Sequence, residues 1–238
     1  IIFACYLVLV IRDENYRPKF SWILGSVFIF LLVMGVADFF GVNSFKAFWS
    51  NYERMEGFIA LLHFGAFFLV MSSMLKTREI WNKLLATTLG ASVIMAIYSF
   101  FQLAGKITIN QGGVRVDGTL GNSAYLAIYM VFHIFLAGLL LGRVKEKWQK
   151  ILLVVIALMN LVILYFTATR GAILGFIGGV LISLAYLLLK SKKGDQIRKI
   201  AGGGILSVVI LIGLFIAFRN VPFVQKSPVL QRFATLSF

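Results

Sequence analysis

The stretch Tyr165-Phe-Thr-Ala-Thr-Arg170-Gly171-Ala-Ile-Leu-Gly175 joins two long apolar runs head to tail, and Arg170 is the only charged residue between Lys150 and Lys190. A guanidinium at the centre of a bilayer costs at least about 3 kcal/mol. Arg170 is therefore expected at a membrane face, in a hairpin turn between two spanning helices. The second helix is expected to begin at Gly171 with Thr169 as its N-cap, its first unpaired N–H groups turned toward the arginine. A fixed cation beside a helix start suits an anion, and phosphate above all.

Two other stretches carry residues of the same chemical kind. The segment 42–57 mixes aromatics with a compact charged group, Glu53-Arg54-Met-Glu56-Gly57. The segment 106–122 ends in Gly-Gly-Val-Arg115-Val-Asp117-Gly-Thr-Leu-Gly-Asn122, followed by Ser123. Its glycines permit tight turns, and Asn122 or Ser123 would cap the helix that follows. A second arginine is thus expected near a second helix start. His63 and His133 have no His, Cys or carboxylate at ligand spacing, so no metal site is expected. Both histidines read as interhelical hydrogen bonders, and Gln102 and Asn160 as polar contacts between helices. Gly171, Gly175 and Gly179, at four-residue spacing, read as a packing stripe. Asp38, near the outer end of its helix, is expected to pair with an outward arginine.

The elements that must hold these residues follow from composition. The chain is 60% hydrophobic and 13% charged, against roughly 25% charged in soluble domains. Its net charge of +14 sits in short clusters between apolar runs. That is the pattern of loops beside anionic lipid, and nucleic acid is not expected as a partner. Apolar runs fall at about 1–11, 20–41, 57–75, 81–105, 123–142, 151–168, 171–189 and 201–218, most near the ~20 residues a spanning helix needs. The expectation is an all-α polytopic transmembrane helical bundle, one domain over 1–238, with seven full spans and one partial N-terminal span. Beginning and ending as it does, the chain reads as a fragment truncated at both ends. The lone Cys5 has no partner for an intrachain disulfide.

Alternate loops carry fifteen and eight basic residues, and the richer set is expected in the cytoplasm. The loops 42–57, 106–122 and 169–171 and the tail 219–238 would then face outward. Walker, nucleophile-elbow and dinucleotide motifs are absent from the sequence.

Three of these motifs, in order, resemble the O-antigen ligase and polymerase family of membrane glycosyltransferases: Glu53-Arg54-Met-Glu56-Gly57, Gly118-Thr-Leu-Gly-Asn122-Ser-Ala-Tyr-Leu-Ala127 and Thr167-Ala-Thr-Arg170-Gly-Ala-Ile-Leu-Gly175. The closing Pro228-Val-Leu-Gln-Arg232-Phe-Ala-Thr-Leu-Ser237 is similar to the segment leading into the family's large external loop. The resemblance implies a multi-pass enzyme of the bacterial inner membrane that takes a glycan from undecaprenyl diphosphate. It would pass that glycan to a hydroxyl of lipid A core or of another glycan, at the outer face, without a metal or other cofactor. By the same resemblance Arg170 would hold the carrier diphosphate, and Arg232 is a candidate for the family's second arginine. No histidine follows Arg170, so either the general base lies beyond Phe238 or the chain departs from the ligase pattern toward the polymerases.

The residues support the same chemistry independently. A diphosphate leaving group develops negative charge that arginines and helix starts can meet. Arg54, Arg115 and Arg170 could act as such clamps, with Glu56 and Asn122 beside them. Of the outward carboxylates Glu53, Glu56 and Asp117, the last is the first choice for a base, because it is expected in a flexible glycine-rich loop. The competing expectation is a transporter or flippase for lipid-linked sugars, whose site would lie near the bilayer midplane on broken helices.

Overall fold

The computed structural model describes residues 1–51, 56–110, 113, 115–192 and 194–234. Among the described residues the regular structure is helical, and two compact units divide it, Ile1–Lys83 and Leu84–Phe238.

The first unit holds α1 (Ile2–Arg12), α2 (Trp22–Phe39), α3 (Ser44–Trp49) and α4 (Phe58–Met74), and α5 (Arg78–Leu103) begins there. Starts are set by small polar caps: Ser21 Oγ accepts from Leu24 N–H (3.1 Å), Asn43 Oδ1 from Lys46 N–H (3.0 Å) and Thr77 Oγ1 from Ile80 N–H (3.3 Å). Tyr6 is buried and donates to Ser73 Oγ at 2.8 Å, tying α1 to α4. α2 and α4 approach closely at glycines. A Cβ on Gly65 would come within 2.5 Å of Leu31 Cδ1, and one on Gly35 within 2.9 Å of the Phe58 ring.

The run 57–75, expected to be a full span, makes a helix of 17 residues, about 25 Å long. It is cut at both ends. Gly57 is extended and presses on the chain before it, where a Cβ would lie 2.3 Å from Phe48 O, while Leu75 leaves helical geometry at φ −86°, ψ 69°. Among the described residues six helices are long and apolar enough to cross a membrane, α2, α5 and four in the second unit, instead of the seven expected; α1 and α4 are shorter. This is the architecture of a multi-pass membrane protein.

In the second unit α6 (Ser123–Leu141), α7 (Lys147–Phe166), α8 (Arg170–Lys190) and α9 (Gln196–Phe218) follow α5, and the short α10 (Pro222–Lys226) and α11 (Pro228–Ala234) close the chain. One buried cluster joins Ala96 of α5 and Val116 of the loop to Leu126, Ala127 and Met130 of α6 and Ile163 and Leu164 of α7, with Ile173 and Phe176 of α8 against it. A second joins Leu89 to Ala137, Leu140, Leu153 and Ile156. α5, α6 and α7 thus form the core, whereas α8 has no buried residue and α9 has Ala201. α9 packs on α8 through glycines, a Cβ on Gly204 falling 3.0 Å from Leu184 Cδ1. Of the stripe Gly171, Gly175 and Gly179, the last is at a close approach, 2.8 Å from the Phe135 ring, and the other two face open space.

Candidate functional site

The α7–α8 turn is where the candidate residues meet. α7 ends at Phe166, Thr167 closes it, and Ala168 turns the chain with φ 49°, a left-handed geometry that costs a residue with a Cβ about 1–2 kcal/mol. Ala168 is fully buried, so no larger side chain fits there. α8 starts one residue earlier than expected, with Arg170 itself in the first helical position. Nor does the Thr169 side chain cap the helix. Its Oγ1 lies 3.3 Å from the Ser123 and Thr167 carbonyls, to which its O–H donates, and it accepts from Arg115. A cap's hydroxyl has been diverted to bind the turn to the start of α6.

Arg115 supplies the other half of that joint. Its Nε donates to Thr167 O (3.1 Å) and its Nη2 to Thr169 Oγ1 (3.2 Å), while the next residue's N–H bonds Phe166 O (3.3 Å). The loop before α6 is therefore laid across the α7–α8 turn. Burial, and after it the charge of Arg232, pull the Arg115 guanidinium below its ordinary pKa. An arginine so placed still keeps its proton throughout the physiological range. Arg232, on α11, has been brought back over the turn by the fold of the tail, where Val224 and Val229 are buried and Phe233 meets Phe215 edge-on, ring centres 6.5 Å apart. Arg115, Arg170 and Arg232 are each half-buried.

Two helix starts join the three cations. Asn122 caps α6 as expected, its Oδ1 accepting from Ala124 N–H at 2.8 Å, and α8 begins at Arg170. A cation in the first turn of a helix opposes the macrodipole, and Arg170 is in that position with no acidic residue in the turn. A bound anion at this helix start would offset that cost.

Asp117 is not the exposed residue that its place in a glycine-rich loop suggests. It is fully buried, and Gln102 Nε2 donates to its Oδ1 at 2.7 Å. The same amide nitrogen donates to Thr108 O (3.0 Å), and Gln102 Oε1 accepts from Gly118 N–H (2.9 Å). One glutamine at the end of α5 thus ties down both ends of the loop that carries Arg115. Gly118 completes the knot with φ 58° and a vacant β-position 3.0 Å from Met95 Sδ. With no exposed surface, the Asp117 carboxylate cannot meet an acceptor hydroxyl in this geometry.

Beside the cations, α8 and α9 enclose an apolar groove of about 470 Å³. Ile173, Phe176, Val208 and Phe215 line it, Leu230 and Phe233 of α11 cover it, and Tyr165 and Arg219 stand at the end nearest the turn. Sequence reasoning missed Arg219, Thr167 and the anchoring role of Gln102.

Of the other candidates, Glu56 is an exposed residue of the first unit, and Glu53 and Arg54 lie outside the described residues. Among the described residues Asp38 has no ion pair. Each histidine bonds a carbonyl of its own helix, His63 Nδ1 to Ile59 O and His133 Nδ1 to Tyr129 O, both at 2.7 Å, so neither makes the interhelical bond expected of it. Asn160 does bridge helices, Nδ2 donating to Ser92 Oγ at 3.2 Å. No protein-family model, curated protein or solved structure matches this chain.

Proposed function

We propose that the second unit holds the diphosphate of a polyisoprenyl carrier and transfers the glycan it bears to an acceptor hydroxyl. This is the glycosyl transfer of the ligase or polymerase type that the sequence motifs resemble. The observation that carries the reading is the bonding of Arg115 to Thr167 and Thr169, which sets a second guanidinium beside Arg170 and two helix starts. In the reaction the bond between the sugar's anomeric carbon and the diphosphate oxygen breaks as the acceptor oxygen attacks. The charge that builds on the departing diphosphate is met by Arg170, Arg115 and Arg232 and by the unpaired N–H groups of α8. Arginine suits the task because its fork can hold a turn with one edge and phosphate oxygens with the other.

The groove supports the same reading. A saturated or isoprenoid chain leaving the headgroup would run between α8 and α9 on Ile173, Phe176 and Phe215. The acceptor's proton needs a base that the described residues do not offer at this turn, since Asp117 is enclosed. On this reading Asp117 is a positioning residue for Arg115. The outer leaflet of the bacterial inner membrane is the compartment in which the resemblance would put the chemistry. A flippase is less well supported, because Arg170 begins an unbroken helix and Arg115 lies in the loop before another, whereas transporters bind at mid-depth on interrupted helices.

The test is glycan transfer from a polyisoprenyl diphosphate donor by the purified protein, with Arg170→Ala as the variant. Transfer should fall by about 100-fold or more while the variant stays folded in the membrane. Near-normal transfer would remove Arg170 from the chemistry.

A further inference from the structure

We propose that the opposite end of the second unit is a docking surface for the headgroups of anionic phospholipids, independent of the glycosyl-transfer reading. The connections that form it, α6 to α7 and α8 to α9, lie at one end because α6 and α8 run side by side in the same direction. Thr169 Oγ1 donates to Ser123 O near both helix starts, and Gly179 meets Phe135 further along both. Both helices therefore exit together, away from Arg170.

The sequence loads this end heavily. Across 143–150 and 190–199 there are nine basic residues and two acidic ones, Glu146 and Asp195. One of the two acids is engaged locally, as Asp195 caps α9 by accepting from Ile197 N–H (3.3 Å). The connection after α6 is also held in shape. Arg143 and Val144 N–H both bond Leu140 O (2.8 and 3.0 Å), Val144 packs on the buried cluster around Leu89, and Arg198 Nη1 reaches Ser191 O at 3.5 Å. Among the described residues, Lys145, Lys147, Lys150, Lys190, Lys192 and Lys199 are exposed at this end.

Beneath the charges the surface turns apolar at once. Trp148 is 62% exposed, Leu189 83% and Ile197 50%. A tryptophan at the level where charge gives way to hydrocarbon marks a membrane interface. Lysine heads on flexible stems above exposed aliphatic and indole surface fit a phosphodiester with two acyl chains below it. A soluble phosphate would use the charges and leave the apolar collar unused.

The test starts from purified, delipidated protein offered equal amounts of phosphatidylglycerol and phosphatidylcholine with identical acyl chains, and native mass spectrometry counts the lipid retained. Phosphatidylglycerol should be kept over phosphatidylcholine by about tenfold. The preference should fade at about 1 M salt, where the screening length is about 3 Å. The combined variant Lys145→Gln, Lys147→Gln, Lys150→Gln and Lys192→Gln should bring it close to parity. Should that variant fail to insert, the salt series on the unaltered protein decides alone. Equal retention of both lipids would overturn the proposal, as would a preference that neither salt nor the variant reduces. Displacement of the lipid by inorganic phosphate alone would show a free-phosphate site and sink the lipid assignment.

Discussion

The two ends of the second unit carry the same sign of charge and are built in opposite ways. At the α7–α8 turn the cations are arginines, half-buried, and one of them is bonded to a backbone carbonyl and a threonine hydroxyl. At the far end six described lysines are exposed, on the two connections and on the helix ends beside them. The first arrangement fixes guanidinium direction, which suits a ligand of defined shape. The second leaves the ammonium groups exposed, which suits a fluid, interchangeable partner such as lipid headgroups. Net charge does not separate a site from a surface; what the charges are tied to does.

The sharpest way to break this contrast is to exchange the ties. Arg115→Ala should lower glycan transfer by about 100- to 1,000-fold, measured with saturating donor. Arg115→Lys should recover only part of that loss, because an ammonium cannot span Thr167 O and Thr169 Oγ1 as the planar fork does. Lys147→Gln at the far end should leave transfer within about twofold of normal, in line with the weak energetics of exposed single charges. If the lysine variant lost as much as the arginine variant, the two ends would not differ in kind.

A smaller effect is expected one layer behind. Gln102→Leu would strip partners from Asp117 Oδ1, Thr108 O and Gly118 N–H together. Buried groups left unsatisfied cost about 1–3 kcal/mol, and the loss should appear as a lowered midpoint of thermal unfolding in detergent. Transfer should fall with it, since the loop that carries Arg115 would no longer be tied to α5. Unchanged stability would mean that the loop is held by something other than this amide.

How much of this could be read in the sequence depends on range. Local rules identified most of the apolar runs, the Asn122 cap and the place of Arg170 at a turn between two long helices, because each depends on residues within a few positions. The span count failed at 57–75, where hydropathy cannot register that Gly57 is pinned by Phe48 and that Leu75 has left the helix. Thr169 had the composition of an N-cap, and a tertiary partner, Arg115, claimed its hydroxyl. The glycine loop suggested an exposed Asp117 for the same reason that Gln102 passed as a helix–helix contact. Nothing within the 14 residues between them in the sequence announces a hydrogen bond of 2.7 Å. Pairings at that separation follow from how α5, α6 and α7 pack, which local periodicity does not encode.

Two substitutions at the turn probe the cost of building it. Ala168→Val puts a β-branched side chain at φ 49° in a site without free surface. It should destabilise the unit by about 2 kcal/mol or more, read by thermal unfolding, whereas Ala168→Gly should be tolerated. The smallest expected effect is the most diagnostic. The Arg232 charge opposes that of Arg115, so Arg232→Gln removes a like-charge repulsion and should raise stability by a few tenths of a kcal/mol. The same change removes a guanidinium from the proposed diphosphate site and should weaken donor binding, seen as a raised donor KM. A gain in stability together with a loss of donor affinity is the mark of charges gathered against their own repulsion to bind an anion. A loss of both would mean that Arg232 serves the fold, and the set of cations at this turn would shrink to Arg115 and Arg170.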